Sequence, residues 1–417
     1  MVFSEAMEYI NSFTHSGSPV KDLSRIRSLM HRLGDPQDRL RFVHIAGTNG
    51  KGSVLEYCSN ALISAGYKTA QFTSPYIENY CDRIRINGEF IPEERVAQLC
   101  GQVKNAVDNN EFSQFEITFA IAMLYFLEEK CDIIFLETGI GGDLDATNII
   151  KEPLVSVITS VSLDHTAILG GTVEEIASHK LGIVKEECPA VISFGNKQTV
   201  LDMAQEKTLE MHSKLTIPDK NAFSLIKSGL RGSEFSYKGE TYHVSMCGAH
   251  QAENAVTAME VLEILKGCFD VSDSDIKKAL MDTHVPSRAE IRGADPVIII
   301  DGGHNTDGID RFAEFLTSQG INGAVGVFGM VKGKAVDHAV EVMSGFYSTV
   351  YCADSYISNA LTGDELAEKF RAHNVNAEFG NYKSMTHKAL EQAHKKKRPL
   401  IVSGSLYLTS AVRKELT

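Results

Sequence analysis

The feature that most constrains the fold is a glycine-rich turn between a predicted strand and a predicted helix. Residues 42–54 form the segment FVHIAGTNGKGSV. Its apolar first half predicts a buried strand, and residues 55–65 predict a helix. In such a turn, successive backbone amides wrap an anion, the helix N-terminus adds positive potential and Lys51 adds a charge. The segment therefore predicts a phosphate-binding loop. A turn without a ligand is the alternative, because Gly52 separates Lys51 from Ser53 and breaks the strict phosphate-loop spacing.

Apolar β-branched runs alternate with segments of helical period along most of the chain, which predicts βα units and largely parallel sheets. In the first part, strands are expected at 42–46, 69–73, 133–136, 155–161 and 190–193. A hairpin-like stretch follows at 229–244, and a second α/β series has strands at 297–300, 324–328, 349–352 and 400–402. We therefore predict an N-terminal domain over 1–290 that has a mostly parallel sheet of the type found in phosphate-loop proteins. A smaller, Rossmann-like α/β domain is predicted over 291–417.

The charge and the cysteines exclude several classes of protein. The 54 acidic residues outnumber the 41 basic ones, and the formal charge of −13 repels nucleic acids and anionic membranes. The eight cysteines are scattered without a Cys-x-x-Cys pair, which indicates a reducing compartment. The N-terminus lacks signal-peptide features, and no apolar run approaches the roughly 18 residues that cross a bilayer. A cytoplasmic monomer without nucleic-acid or membrane partners is expected.

Polar side chains stand where three of the predicted strands end. Ser74 follows the strand at 69–73, Glu137 follows the strand at 133–136, and Asp164 and His165 follow the strand at 155–161. Carboxyl ends of parallel strands line up along one edge of a sheet, where ligands bind. Hydroxyl and carboxylate oxygens with one imidazole suit Mg²⁺ held between protein and phosphates. The alternative is structural, since a lone Glu or His at a strand end is often only a packing residue.

Lys180 and two later segments are less informative by themselves. Thr172 and Glu175 have the spacing of a capping box, which opens a helix that carries His179 and Lys180. Taken alone, this pattern makes Lys180 a solvated surface lysine. The segments 248–255 and 301–305 place polar groups at a helix start and a strand end, which suggests that the C-terminal domain also faces the nucleotide. Ordinary caps and turns are the alternative.

A series of motifs, in order from about residue 22 to residue 407, resembles one enzyme family. The motifs are GTNGKGS at 47–53, TSP at 73–75, DRIRING at 82–88, Glu137 with GIGG at 139–142, LDATN at 144–148, LDHT at 163–166, HQ at 250–251, NA at 254–255, DGGHN at 301–305 and SGSLY at 403–407. Together they resemble the folylpolyglutamate synthase and dihydrofolate synthase family of the Mur ligase superfamily. The loop alone indicates the superfamily, whereas 144–148 and 403–407 indicate the folate branch.

The resemblance implies an ATP-dependent amide ligase with two domains and an active site in the cleft between them. ATP would phosphorylate the terminal carboxylate of folate or dihydropteroate, and the amine of L-glutamate would then displace phosphate. A carboxylate is inert to amines until its oxygen becomes a good leaving group. The charge that builds up during phosphoryl transfer needs Mg²⁺ and a lysine.

The resemblance also implies roles for individual residues. ATP would be bound by Thr48, Asn49, Gly50, Lys51, Gly52, Ser53, Asn254, Arg288 and Asp301. Mg²⁺, at two sites, would be held by Ser74, Glu137 and His165. Lys180 matches the lysine that becomes carbamylated, a change that would turn a cation into a carboxylate-like metal bridge. His304 would bind ATP or, with Ser405, position glutamate. The catalytic set would be Lys51, Lys180 and His304.

Several positions depart from the family pattern. Asp143 stands where the family usually has Arg, and His179 precedes Lys180 where Glu is expected. Residues 286–290 and 330–334 also differ from the usual segments. Because the phosphate and metal set is intact, ligase activity is expected, and these changes bear on the substrate, with Asp143 altering charge beside the metal loop. The leading hypothesis is a folylpolyglutamate synthase, with addition of the first glutamate to dihydropteroate left open. The alternatives are a superfamily ligase for another carboxylate and amino acid, or a non-catalytic nucleotide-binding paralogue.

Overall fold

The structure is a computed structural model that describes residues 1–13, 22–107 and 112–416. The chain divides into two compact units. One contains Met1–Asn221 and Glu253–Asp282, and the other contains Ala222–Ala252 and Thr283–Thr417. Residues 222–252 thus cluster with the second unit, whereas the sequence placed them in the N-terminal domain. The domain limits 1–290 and 291–417 stay a prediction.

The first unit is built on an eight-stranded sheet of order β4-β3-β2-β5-β1-β6-β7-β8. Its strands are β1 Phe42–Ala46, β2 Thr69–Phe72, β3 Ile84–Ile86, β4 Glu89–Phe90, β5 Ile133–Glu137, β6 Val155–Ile158, β7 Ala190–Ile192 and β8 Leu215–Thr216. In this spatial order, the neighbouring strands β2, β5, β1, β6, β7 and β8 pair in parallel. Strands β3 and β4 extend the other edge as antiparallel strands. All five residues of β1 are buried, as expected for a central parallel strand covered on both faces.

The helices up to residue 282 precede these strands, stand between them or follow them in sequence. They are α1 Phe3–Asn11, α2 Ser24–Arg32, α3 Lys51–Ser64, α4 Glu93–Ala106, α5 Gln114–Glu128, α6 Thr166–Leu169, α7 Val173–Leu181, α8 Gln198–Glu210, α9 Ala249–Leu265 and α10 Asp273–Asp282. The division between the units falls inside α9. Helix α5 is apolar on nearly all sides and is buried from Gln114 to Phe126. A capping box between Ser113 and Glu116 fixes where α5 begins.

The second unit has two sheets. A three-stranded antiparallel sheet contains β9 Phe223–Gly229, β10 Gly232–Tyr237 and β11 Glu240–Val244. A six-stranded sheet of order β12-β13-β17-β14-β15-β16 contains β12 Glu290–Arg292, β13 Ile298–Asp301, β14 Ala324–Phe328, β15 Tyr347–Asp354, β16 Asn376–Asn381 and β17 Leu400–Ser403. Only the β12–β13 pair is antiparallel among these strands. The remaining helices are α11 Thr306–Ser318, α12 Val336–Ser344, α13 Gly363–Ala372, α14 Tyr382–Lys396 and α15 Leu406–Glu415.

The predicted fold class is confirmed, with a mostly parallel sheet in the first unit and a second parallel α/β sheet. The strands at 42–46 and 324–328 have the predicted limits, whereas the predicted strand at 155–161 ends earlier, at Ile158. The sequence missed the strands β3, β4, β8, β12 and β16, which lie at or next to sheet edges. Among the described residues, no helix combines the length and the apolar character that a membrane crossing requires.

Candidate functional site

The glycine-rich loop joins β1 to α3, and its shape depends on Gly50. Gly50 has a φ of +87°, in the left-handed region that favours glycine, and it caps α3. A Cβ atom there would lie 2.6 Å from Oδ1 of Asn254. Helix α3 begins at Lys51, one turn before the predicted start at residue 55, so Lys51, Gly52 and Ser53 form its first turn. This arrangement places the loop, the free amides of a helix N-terminus and Asn254 together.

Hydrogen bonds hold the loop against the chain that follows β6. The backbone amide of Thr48 donates to the Ser160 carbonyl (2.6 Å), and the Thr48 hydroxyl donates to the Ser162 carbonyl (3.0 Å). The Thr159 hydroxyl donates to the carbonyl of Asn49 (2.7 Å). The loop therefore lies directly against residues 159–162, although about 110 residues separate the two segments in sequence.

Lys51, Ser74 and Glu137 meet beside this loop. Nζ of Lys51 lies 3.7 Å from Oε1 of Glu137 and donates to the Gly47 carbonyl at 3.1 Å. The backbone amide of Ser74 donates to Oε2 of Glu137 at 3.2 Å. Glu137 is the last residue of β5, which lies between β1 and β2, so parallel pairing brings the three strand ends to one edge. The amine, the carboxylate and the hydroxyl-bearing residue are thus brought together as predicted.

His165 is the N-cap residue of α6, and its imidazole is 39% exposed. Its Nε2 lies 3.9 Å from Oδ2 of Asp164. Among the described residues, no three His, Cys, Asp or Glu side chains form a group able to hold a metal ion by themselves. The role of His165 as a ligand beside Glu137 stays a prediction.

Lys180 is buried rather than solvated, so the prediction from the residues alone is wrong. Its relative exposure is 4%, although it lies in the last turn of α7. Burial and the nearby Lys51 lower the pKa of the Lys180 amine to about 7, while Asp164 and Asp145 oppose this shift. A large fraction of this amine is therefore uncharged and nucleophilic near neutral pH.

A buried network supports Asp145. Its carboxylate accepts hydrogen bonds from the amides of Gly139 and Ile140, both at 2.9 Å, and from the Thr147 hydroxyl at 2.6 Å. Burial raises the pKa of Asp145. The network fixes the glycine turn that follows Glu137.

The same network extends to His44 in β1. His44 Nε2 lies 2.8 Å from the Thr147 oxygen, and because the Thr147 proton goes to Asp145, we assign the hydrogen of this contact to His44 Nε2. Burial lowers the pKa of His44 to about 3, so the ring is neutral. Sequence reasoning missed His44, and the available signal was one polar residue inside the apolar run 42–46.

The two departures at Asp143 and His179 contact each other. Nδ1 of His179 lies 2.9 Å from Oδ1 and 3.0 Å from Oδ2 of Asp143. Asp143 is therefore not an isolated negative charge beside the loop. The sequence showed both substitutions but could not show that they pair.

In the second unit, Asp301 and Ser405 lie at the ends of neighbouring strands. Asp301 pairs with Ser403 in the parallel register of β13 and β17. The Asp301 carboxylate accepts from the amides of Gly303 (2.7 Å) and Ala289 (2.8 Å), and burial raises its pKa while Arg288 opposes the rise. His304 Nδ1 lies 3.0 Å from the Gly302 carbonyl. Ser405 is buried, and its oxygen caps α15 by accepting from the Tyr407 amide at 3.2 Å.

Comparisons with known proteins agree with this geometry. Residues 45–262 match the Mur ligase middle domain, and residues 287–406 match the glutamate ligase domain of Mur ligases. The chain is 32% identical over 409 residues to the dihydrofolate synthase/folylpolyglutamate synthase of Bacillus subtilis, with 94% of each protein covered.

Two solved structures share the architecture. Mycobacterium tuberculosis folylpolyglutamate synthase complexed with ADP aligns with a TM-score of 0.88 at 26% identity, over 99% of this chain and 97% of that chain. Escherichia coli FolC in complex with DHPP and ADP aligns with a TM-score of 0.86 at 25% identity, over 100% of this chain and 98% of that chain. The chain therefore resembles nucleotide-binding ligases over its whole length.

Proposed function

The chain belongs to the folylpolyglutamate synthase/dihydrofolate synthase family of ATP-dependent Mur ligases, and from that premise we propose which residues bind ATP, Mg²⁺ and substrate as it joins glutamate to a folate-type carboxylate. The single observation that carries the proposal is the 3.7 Å approach of Lys51 Nζ to Glu137 Oε1. It joins the phosphate loop to a carboxylate from another strand. The similarity to a protein solved in complex with DHPP and ADP supports a site that binds a nucleotide and a second small molecule.

The backbone amides of Gly50, Gly52 and Ser53 would hold the phosphates of ATP. Thr48 and Asn49 would contribute to the same site by fixing the loop, because their amides donate to the carbonyl and hydroxyl of Ser160. The left-handed backbone conformation of Gly50 lets the chain turn from the loop into α3. The first turn of α3 supplies amides without a partner inside the helix and the positive end of a helix dipole. Lys51 belongs to the same turn and adds a positive charge, and its Nζ donates to the Gly47 carbonyl. Asn254 lies against Gly50 and is suited to contact the nucleotide from the other side of the loop.

The residues around Glu137 fit a magnesium ion. Glu137 is a largely buried carboxylate whose two oxygens face different partners, Lys51 and the Ser74 amide. With the Ser74 hydroxyl, the His165 imidazole and phosphate oxygens, it makes the oxygen-rich donor set that Mg²⁺ prefers. When bound, Mg²⁺ neutralises charge on the transferring phosphoryl group. Two such ions fit the resemblance, with Lys180 as the second carboxylate-like donor.

Lys180 is suited to become carbamylated. Its uncharged amine, favoured by a pKa of about 7, can attack CO₂ to form an N–C bond and release one proton. The product is a carbamate anion in place of a buried cation. This exchange would place a negative charge close to Lys51 and supply an oxygen ligand.

In the reaction, Lys51 would stabilise the negative charge that develops as the γ-phosphoryl group moves to the substrate carboxylate. Arg288 and Asp301 would contact ATP, and His304 would contact ATP or the incoming glutamate. Ser405 is buried and caps α15, so its contribution to glutamate binding would come through the position of the 403–407 turn.

The test is a product analysis with the purified full chain, ATP, Mg²⁺ and L-glutamate. Dihydropteroate and tetrahydrofolate are offered separately, and released phosphate and the acceptor mass are measured. We expect a gain of glutamyl residues with at least one acceptor, and the two arms show whether the first glutamate, later ones or both are added. Glu137→Gln should lose this activity while keeping its fold by circular dichroism. Phosphate release with another amino acid but none with L-glutamate would overturn the proposed substrate pair.

A further inference from the structure

A side-chain contact joins the turn that follows Glu137 to the end of α7, which carries the proposed catalytic lysine, Lys180. Asp143 lies in the turn that follows Glu137, and His179 directly precedes Lys180 on α7. Nδ1 of His179 is 2.9 Å from Oδ1 and 3.0 Å from Oδ2 of Asp143, across 36 residues of sequence. The His179 side chain is 33% exposed and the Asp143 side chain is 39% exposed, so the contact lies at the surface of the fold.

Backbone contacts bring the same two segments close together. The Asp143 amide donates to the His179 carbonyl at 2.9 Å. Nδ2 of Asn148 donates to the Asp143 carbonyl (2.9 Å) and to the Gly182 carbonyl (3.1 Å), which ties the turn to the residue after α7. At Gly142, a Cβ atom would lie 2.6 Å from the His179 carbonyl oxygen. The turn and the end of α7 therefore pack as one piece, with Lys180 between their anchors.

We infer that the Asp143–His179 contact is a positioning device that fixes the Lys180 amine relative to Glu137 and Lys51. Asp143 is six residues after Glu137, and His179 is next to Lys180. The contact therefore restrains the position of the backbone that carries the Lys180 amine relative to the backbone that carries the Glu137 carboxylate. The assignment rests on the proposed role of Lys180. It makes Asp143 and His179 positioning residues, since they act through Lys180.

The contact does not depend on the charge of His179. A carboxylate accepts hydrogen bonds only, so the hydrogen lies on Nδ1 whether the ring is neutral or protonated. The neutral tautomer then leaves Nε2 without a hydrogen. The restraint is therefore geometric, and removal of either partner should loosen it.

A second His–Asp contact in the chain provides a matched control. Nε2 of His338 lies 2.7 Å from Oδ1 of Asp310, and these side chains are 34% and 45% exposed. This pair lies in the second unit, on α12 and α11, and has no part in the proposed site. If the Asp143–His179 contact were only a surface ion pair, removal of either pair would have the same small effect.

The test compares Asp143→Ala, His179→Ala, their double variant and Asp310→Ala in the full chain. We expect kcat to fall about 10- to 100-fold in the first three, as for groups that orient metal ligands, and to stay within about twofold in Asp310→Ala. The KM for ATP should change little, because the loop is intact. The double variant should lose no more than either single variant. Asp143→Asn should retain more activity than Asp143→Ala, since its amide oxygen can still accept from Nδ1.

A second readout does not need turnover. With ¹³C-labelled bicarbonate, carbamate on Lys180 is followed by NMR, and Lys180→Ala identifies the signal. We expect a lower occupancy in Asp143→Ala and His179→Ala than in Asp310→Ala at equal helicity and midpoint of unfolding. Equal occupancy and equal kcat in the three variants would overturn the inference. A wild-type protein that carries the carbamate but makes no glutamyl product would instead refute the proposed function and leave this comparison valid.

Discussion

Replacement of Lys180 by methionine should stabilise the protein while removing its activity. Burial and Lys51 lower the pKa of the Lys180 amine from 10.5 to about 7. This difference corresponds to about 5 kcal/mol of unfavourable free energy for a charged amine in the folded protein. Methionine has a similar length and no charge, so Lys180→Met should raise the free energy of unfolding by about 2 to 5 kcal/mol at pH 7.

The sign of the pH dependence follows from proton binding. Below pH 7 both the folded and the unfolded protein carry the Lys180 proton, so the folded protein bears the full free-energy cost of a buried charged amine. As pH rises from about 7 towards 10.5, only the unfolded state keeps the proton, so the wild-type protein gains stability. The difference between Lys180→Met and the wild type should therefore be largest near or below neutral pH and shrink in alkaline buffer.

Urea denaturation in CO₂-depleted buffer measures this difference. The chain has no tryptophan, so unfolding is followed by circular dichroism at several pH values between about 6 and 10. CO₂ is excluded because a carbamate would replace the cation by an anion. Lys151→Met removes an exposed lysine and should not stabilise the protein. A destabilised Lys180→Met, or a difference that does not change with pH, would refute the buried-amine argument.

Two further substitutions test the loop and the buried network. Gly50→Ala should destabilise the loop by about 1 to 3 kcal/mol and weaken ADP binding, measured as a smaller ADP-dependent thermal shift, because φ is +87° and the new Cβ meets Asn254. In Gly52→Ala the fold should be unchanged, because no described atom other than those of the adjacent residues and the nearby backbone of α3 lies within 4 Å of the added Cβ. Thr147→Val should lower the free energy of unfolding by about 2 to 4 kcal/mol, since His44 and Asp145 both lose a buried partner, and Thr147→Ser should restore most of it. An unchanged denaturation midpoint in Thr147→Val would contradict the assigned network.

The parts of the fold that could be predicted are those with strong local signals. Strand β1, the glycine turn and α3 follow one another within 23 residues, and each has its own pattern of apolar spacing or glycine. Strand β4 could not be predicted because it has two residues, both exposed. Strand β16 is an edge strand with one buried position, and its only large apolar residue, Phe379, is exposed, so its sequence gives a weak strand signal.

The site divides in the same way. The meeting of Lys51, Ser74 and Glu137 could be predicted, because parallel strands place their carboxyl ends at one edge whatever the loops between them do. The burial of Lys180 could not, since its position on α7 depends on how the 139–145 turn packs against the helix end. The pairing of Asp143 with His179 depends on the same packing, and no periodicity links residues that are 36 positions apart.

The charges around the loop explain why this arrangement is unfavourable without a ligand. Lys51 and Lys180 are close enough for one to lower the pKa of the other, and Lys51 lies 3.7 Å from a carboxylate oxygen of Glu137. The loop amides and the first turn of α3 add further positive potential at the same place. Glu137, Asp145 and Asp164 offset part of this positive charge, and a polyanion such as the triphosphate of ATP would offset more of it, whereas a neutral ligand would not. Stability alone would favour an apolar residue at position 180, so the buried amine there is explained by the chemistry of the site rather than by the needs of the fold.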